Sequence, residues 1–164
     1  LGDSYLGLKA LSNKAKFKNK DKLFFVDKYY KPDLPLNLTK HLLKFANSSI
    51  DVSDGLIDDL AKMINRQSLS FHLFENKIPV SNKLSNFIKK KRLNKINLIS
   101  NGDDYQVLFT ADIKNARIIQ NTSKATGIKI TKIGKIVSGK DRSLILDVKG
   151  KQIQAKSKGY IHRF

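Results

Sequence analysis

The apolar residues of this chain change their spacing from one segment to the next, and that change of period restricts its fold more than any other feature. Leu69 to Phe74 alternates in the manner of a strand, whereas Leu84 to Leu93 follows a helical spacing. Tyr105 to Thr110 reads as a strand, Ile113 to Thr126 as a helix closed by Gly127, and Ile128 to Val137 as a strand broken at Gly134. Upstream, Ser49 to Val52 predicts a short strand handing over to a helix from about Ser53 to Asn65, with Leu56, Ile57, Leu60 and Ile64 on its apolar side. Leu144 to Val148 and Gln152 to Ala155 flank Lys149 and Gly150 and predict a hairpin. Nearer the start, Leu6, Leu8 and Leu11 suggest a helix, Asn13 to Lys22 carries no pattern, and Pro32 and Pro35 interrupt any regular element before a short helix over Leu38 to Phe45. Strands alternating with helices and ending in a hairpin predict one α+β domain, a mixed sheet with helices packed on it, with no boundary inside residues 1–164.

With 164 residues, 40% of them hydrophobic, the chain is long enough to bury a core of its own. It has no cysteine, which excludes disulfides, a thiolate nucleophile and cysteine-ligated metal clusters and suits a reducing compartment. No apolar run reaches the roughly 18 to 20 residues needed to cross a bilayer, and the first residues lack the layout of a secretory signal. A soluble, cytoplasmic protein with no membrane partner is therefore expected. The chain opens on Leu1 rather than on methionine, and part of a longer polypeptide is expected.

A net charge of +18 raises the class of polyanion binders, which gain affinity by releasing counterions. Yet 27 of the 32 basic residues are lysine, spread along the chain apart from short clusters at 14–22 and 89–92. The arginine fork that reads bases and phosphates is scarce. Phe24, Phe25, Tyr29 and Tyr30 beside the first cluster do not form a single-strand-binding pattern. No specific nucleic-acid partner is expected, and a basic polyanion- or RNA-binding module is the alternative from outside the enzymes.

Two acidic segments carry the chemistry. In Asp51-Val52-Ser53-Asp54-Gly55-Leu56, two carboxylates and a hydroxyl converge where a strand becomes a helix. Unpaired amides at a helix N-terminus attract phosphate oxygens. Carboxylates at the same spot repel phosphate unless a divalent cation lies between them, so the set suggests a Mg-nucleotide site. The plainer alternative makes Ser53 an N-cap, with Asp54, Asp58 and Asp59 complementing the helix dipole. Asn101-Gly102-Asp103-Asp104-Tyr105 places adjacent acids in a turn directly before a strand, which a ligand site or an ordinary β-turn explains. His41, His72 and His162 lack metal-ligand spacing, and no Walker loop, kinase glycine loop or nucleophile elbow is present.

Taken in order, Gly2-Asp3-Ser4 to Gly7-Leu8, Asp51 to Leu56, Ile78-Pro79-Val80, Gly102 to Thr110 and Gly159-Tyr160 give a series that resembles the C-terminal half of the thiamine-monophosphate kinases, within the aminoimidazole-ribonucleotide-synthetase superfamily. The resemblance covers nearly the whole chain. It implies a three-layer α/β/α domain with a mixed sheet, and transfer of the γ-phosphoryl group of ATP to thiamine monophosphate with Mg²⁺ and no covalent enzyme intermediate. Such chemistry needs positioning and charge neutralisation more than a reactive side chain. By the same resemblance Asp51 and Asp54 bind Mg²⁺, Ser53 contacts ATP, and Asp103 and Tyr160 contact the thiamine substrate. The family's usual Gly-Gly-Glu-Asp reads Asn101-Gly102-Asp103-Asp104 here, so the substrate acid is one methylene shorter.

The resemblance also implies an N-terminal domain, not in these residues, that carries most of the Mg²⁺ ligands, much of the ATP site and a homodimer interface. This chain alone is therefore expected to be inactive. Selenophosphate synthetase-like and hydrogenase-maturation-like enzymes are the alternatives within the superfamily. The Gly102-Asp103-Asp104-Tyr105 turn favours the thiamine kinases.

Overall fold

The computed structural model describes residues 1–155 apart from 16 and 66. Three helices come first: α1 (Asp3–Leu11), α2 (Asn19–Tyr30) and α3 (Leu36–Leu42). Strand β1 (Ser48–Val52) leads into α4 (Leu56–Met63), and β2 (Leu69–Phe74) is followed by α5 (Asn82–Lys91) and α6 (Lys95–Ile99). The chain then forms β3 (Gln106–Thr110), α7 (Ala116–Thr126), β4 (Gly134–Ser138) and β5 (Leu144–Leu146). Among the described residues no helix is long and apolar enough to cross a membrane.

The α+β class agrees with the periodicity, and the strands divide between two small sheets. β1 pairs antiparallel with β3, setting Asp51 opposite Val107 and Val52 opposite Gln106. β2 lies between β4, antiparallel to it, and β5, parallel to it, which gives the expected mixed pairing. The expected strand over Ile128 to Val137 pairs only from Gly134 onward. Its first half is held by the end of α7, where the Ser123 hydroxyl donates to the Ile128 carbonyl at 2.7 Å and accepts from the Ile130 amide at 3.4 Å. A side chain that occupies backbone groups in this way competes with strand pairing. The expected terminal hairpin is present in reduced form, as β5 and a bridge between Leu146 and Gln152.

Two helices escape the periodic pattern. α2 buries only Phe25 and leaves Leu23 and Tyr30 exposed, so its lysine-rich sequence shows no apolar stripe. α6 has five residues, too few for a period to register, and the Asn94 side chain caps it by accepting the Asn97 amide at 3.1 Å. α5 begins two residues before Leu84 because the Ser81 hydroxyl caps it, accepting the Leu84 amide at 3.0 Å.

The main core joins Val52, Leu56, Leu60 and Ile64 of the β1–α4 unit to Phe71 and Leu73 of β2 and to Ile96 and Ile99 of α6. A second cluster packs Leu6, Phe25, Leu84 and Leu98 together with the rings of Phe17 and Phe87. The two clusters fix both ends of the β1–α4 and α6–β3 loops, where the acidic segments lie.

Candidate functional site

Between the end of β1 and the start of α4 the backbone turns over Ser53, Asp54 and Gly55. One carboxylate oxygen of Asp59, a residue only 1% exposed, accepts the amides of all three, at 2.9 Å from Ser53 and 3.0 Å from Asp54 and Gly55. The expectation that Ser53 caps the helix is thereby corrected. The cap position belongs to Gly55, at φ 122°, and the anion that satisfies the turn comes from inside the first turn of α4. The amides of Ser53, Asp54 and Gly55 are therefore taken by Asp59 rather than left to a ligand.

Lys62 stands one turn further along α4. Its ammonium lies 2.5 Å from Asp54, 2.8 Å from Asp58 and 3.2 Å from Asp59. Those hydrogen bonds, Asp54's first, push the Lys62 pKa up, so it stays protonated. Among the described residues Asp54, Asp58 and Asp59 form a group whose oxygens lie within 4.8 Å of one another. Asp51 is not in that group, being exposed on β1.

The second acidic segment is joined to the first through the main chain. The Asp103 amide donates to the Ser53 carbonyl at 2.9 Å, and the Tyr105 amide to the Val52 carbonyl at 2.8 Å, which continues the β1–β3 ladder. Glycine makes the approach feasible on both sides. A Cβ on Gly102 would sit 1.7 Å from the Ser53 carbonyl oxygen, and one on Gly55 would sit 2.4 Å from that of Ser100.

Asp103 at φ 67° and Tyr105 at φ 49° hold left-handed conformations, which non-glycine residues adopt rarely and often at functional sites. Burial and then the charge of Asp54 push the Asp103 carboxyl above its usual range. Burial, followed by the charges of Asp103 and Asp51, pushes the Tyr105 phenol up. Asp51, Asp54, Asp103 and Tyr105 thus share one electronegative surface. A cavity of about 1100 Å³ lined by Val52, Leu56, Phe71, Leu108 and Ile133 includes none of Asp51, Ser53, Asp54 or Asp103 in its wall.

The neighbouring acid has a different fate. Asp104 is 5% exposed and accepts the Gly2 amide at 2.6 Å, so it caps α1 from across the fold. Asp3 in turn accepts the Ser81 hydroxyl at 2.7 Å. The opening segment therefore meets both the Gly102 turn and the residue after Ile78-Pro79-Val80. Tyr160, Gly159 and His162 lie outside the described residues. The sequence presents Asp59 only as a complement to the helix dipole and does not single out Lys62. In the sequence Asp59 is one of three acids near a helix start, and only its burial sets it apart.

No protein-family model matches the chain. The thiamine-monophosphate kinase of Buchnera aphidicola subsp. Schizaphis graminum is 34% identical over 164 residues, which is 99% of this chain and 50% of that protein. The thiamine-monophosphate kinase of Aquifex aeolicus is 33% identical over 111 residues, 67% of this chain and 36% of that protein. The solved structure of AaThiL complexed with AMPPCP and TMP superposes with a TM-score of 0.73 at 27% identity, covering 98% of this chain and 48% of that one. The chain is homologous to the thiamine-monophosphate kinases over nearly its whole length, and it spans about half the length of the curated relatives it matches.

Proposed function

From this homology we propose that the chain is the C-terminal domain of a cytoplasmic thiamine-monophosphate kinase, with helices layered on both faces of its strands. It contributes one wall of the site where ATP phosphorylates thiamine monophosphate to thiamine diphosphate. The observation that carries the proposal is the hydrogen bond from the Asp103 amide to the Ser53 carbonyl, which unites the two acidic segments on one surface. The AMPPCP and TMP bound by the relative support ATP and thiamine monophosphate as the ligands.

Asp51 and Asp54 hold Mg²⁺, Ser53 contacts ATP, and Asp103 faces the thiamine, with Tyr160 against its ring. The residues present suit a hard cation. They offer carboxylate oxygens, Asp54 already accepts the Lys62 ammonium at 2.5 Å, and burial followed by the charge of Asp54 pushes the Asp103 carboxyl up. Bound Mg²⁺ supplies charge neutralisation and orients phosphate oxygens. The chain's own work is positional. Ser53 and Asp54 are fixed by the Asp59 clamp, and Asp103 is tied to Ser53 at the main chain. A cationic thiazolium beside Asp103 favours its ionised form and offsets the repulsion from Asp54. The other half of the kinase supplies the remaining ligands and the homodimer contact, so these 164 residues alone are inactive.

The test is thiamine diphosphate formation by the complete encoded polypeptide with Mg-ATP and thiamine monophosphate, wild type against Asp54→Asn. The variant is expected to lose roughly 100-fold or more. Undiminished activity in Asp54→Asn removes the metal role of that residue. A folded wild type that makes no product overturns the kinase assignment.

A further inference from the structure

Asp59 is buried beneath the surface that Asp54 and Asp103 share, and with 1% of its side chain exposed it cannot touch a substrate. Its two oxygens do separate work. Oδ2 accepts three consecutive amides, from Ser53, Asp54 and Gly55, while Oδ1 faces the ammonium of Lys62 at 3.2 Å. Hydrogen bonds to an ionised acceptor are about twice as strong as neutral ones, and three on a single oxygen leave the turn little freedom.

The consequence passes to the second loop. With its amide held by Asp59, Ser53 presents its carbonyl to the Asp103 amide at 2.9 Å. Lys62 also binds Asp54, so the same carboxylate steadies that side chain through its counter-ion.

We propose that Asp59 is a positioning residue for this site, a buried anionic clamp that sets the backbone carrying Ser53 and Asp54 and, through the Ser53 carbonyl, the turn carrying Asp103. The proposal rests on the kinase reading for what the site does, but not for what the clamp holds. It distinguishes Asp59 from Asp58, which stands beside it, half-buried, and bonds to Lys62.

The experiment compares Asp59→Asn and Asp59→Leu with wild type in the complete polypeptide. Asn keeps one carbonyl acceptor but turns an amide donor toward the Lys62 ammonium, whereas Leu fills the space and leaves three amides without an acceptor. Hydrogen exchange at the amides of residues 53–55 is expected to accelerate about tenfold in the Asn variant and further in the Leu variant, while amides of β2 and α5 keep their wild-type protection. The Mg²⁺ concentration that half-saturates thermal stabilisation is expected to rise about fivefold, with kcat for thiamine diphosphate formation falling in the order wild type, Asn, Leu.

Unchanged protection at 53–55 in Asp59→Asn overturns the clamp. Faster exchange everywhere overturns it too, because that marks general destabilisation. Should Asp59→Leu fail to fold, Asp59→Asn decides alone. A wild type that makes no thiamine diphosphate refutes the kinase reading, and the exchange measurement still decides the clamp.

Discussion

Gly102→Ala isolates the contact between the two acidic loops. The added Cβ would lie 1.7 Å from the Ser53 carbonyl oxygen, so the loops must separate until that gap reaches at least 3.0 Å. A movement of that size breaks the bonds from Asp103 to Ser53 at 2.9 Å and from Tyr105 to Val52 at 2.8 Å. Each of the two net bonds is worth about 0.5–1.5 kcal/mol, and a buried group left unsatisfied costs about 1–3 kcal/mol, which together give a loss of about 2–6 kcal/mol.

Gly127→Ala is the control. Gly127 has φ 68° and nothing within 4 Å of its Cβ position, so only a left-handed penalty of roughly 1–2 kcal/mol applies. Denaturant unfolding of the complete polypeptide measures both, and thiamine diphosphate formation reports on the site. Gly102→Ala is expected to cost more stability and most of the activity, and Gly127→Ala less stability and no activity. A Gly102→Ala protein within about 0.5 kcal/mol of wild type and fully active would refute the close approach on which the shared site depends.

Asp103→Asn tests the charge at the site through pH. The folded pKa of Asp103 is raised above 3.8, so its protonated form suits the fold, and the stability it lends below the unfolded pKa is lost as pH rises through the folded value. The variant should therefore melt higher than wild type at neutral pH, and the gain should vanish below about pH 3.8; a pH series of melting temperatures with a constant offset contradicts it. Lys62→Met removes the partner of Asp54, Asp58 and Asp59. It should cost on the order of 1 kcal/mol at low salt and less in 1 M salt, read from unfolding midpoints at both ionic strengths. Phe25, with 0% exposed surface, anchors α2 against α1 and α5, and Phe25→Ala should cost about 3–5 kcal/mol in the same assay.

The β1–α4 junction was legible because Leu56, Ile57, Leu60 and Ile64 keep a helical period, and β3 because Val107, Leu108 and Phe109 form a short apolar run. α2 was not, since a helix that buries one phenylalanine among lysines gives no stripe to read. The alternation of Ile128 to Ile133 predicts a strand that does not form there, because the Ser123 hydroxyl claims that backbone from a neighbouring helix, and no periodicity carries that information. The site divides along the same line. Residue types and their order point to the two acidic segments, but adjacent acids within them have opposite roles. Asp103 stays at the surface, whereas Asp104 turns inward to the Gly2 amide, 102 residues away. Both Asp58 and Asp59 meet Lys62, and Asp59 in addition accepts three amides. What separates each pair is a set of amide donors, supplied across the fold for Asp104 and by the adjoining turn for Asp59. Because the buried Asp59 satisfies the amides of Ser53, Asp54 and Gly55, the Asp54 carboxylate is not drawn inward to them and meets the Lys62 ammonium instead.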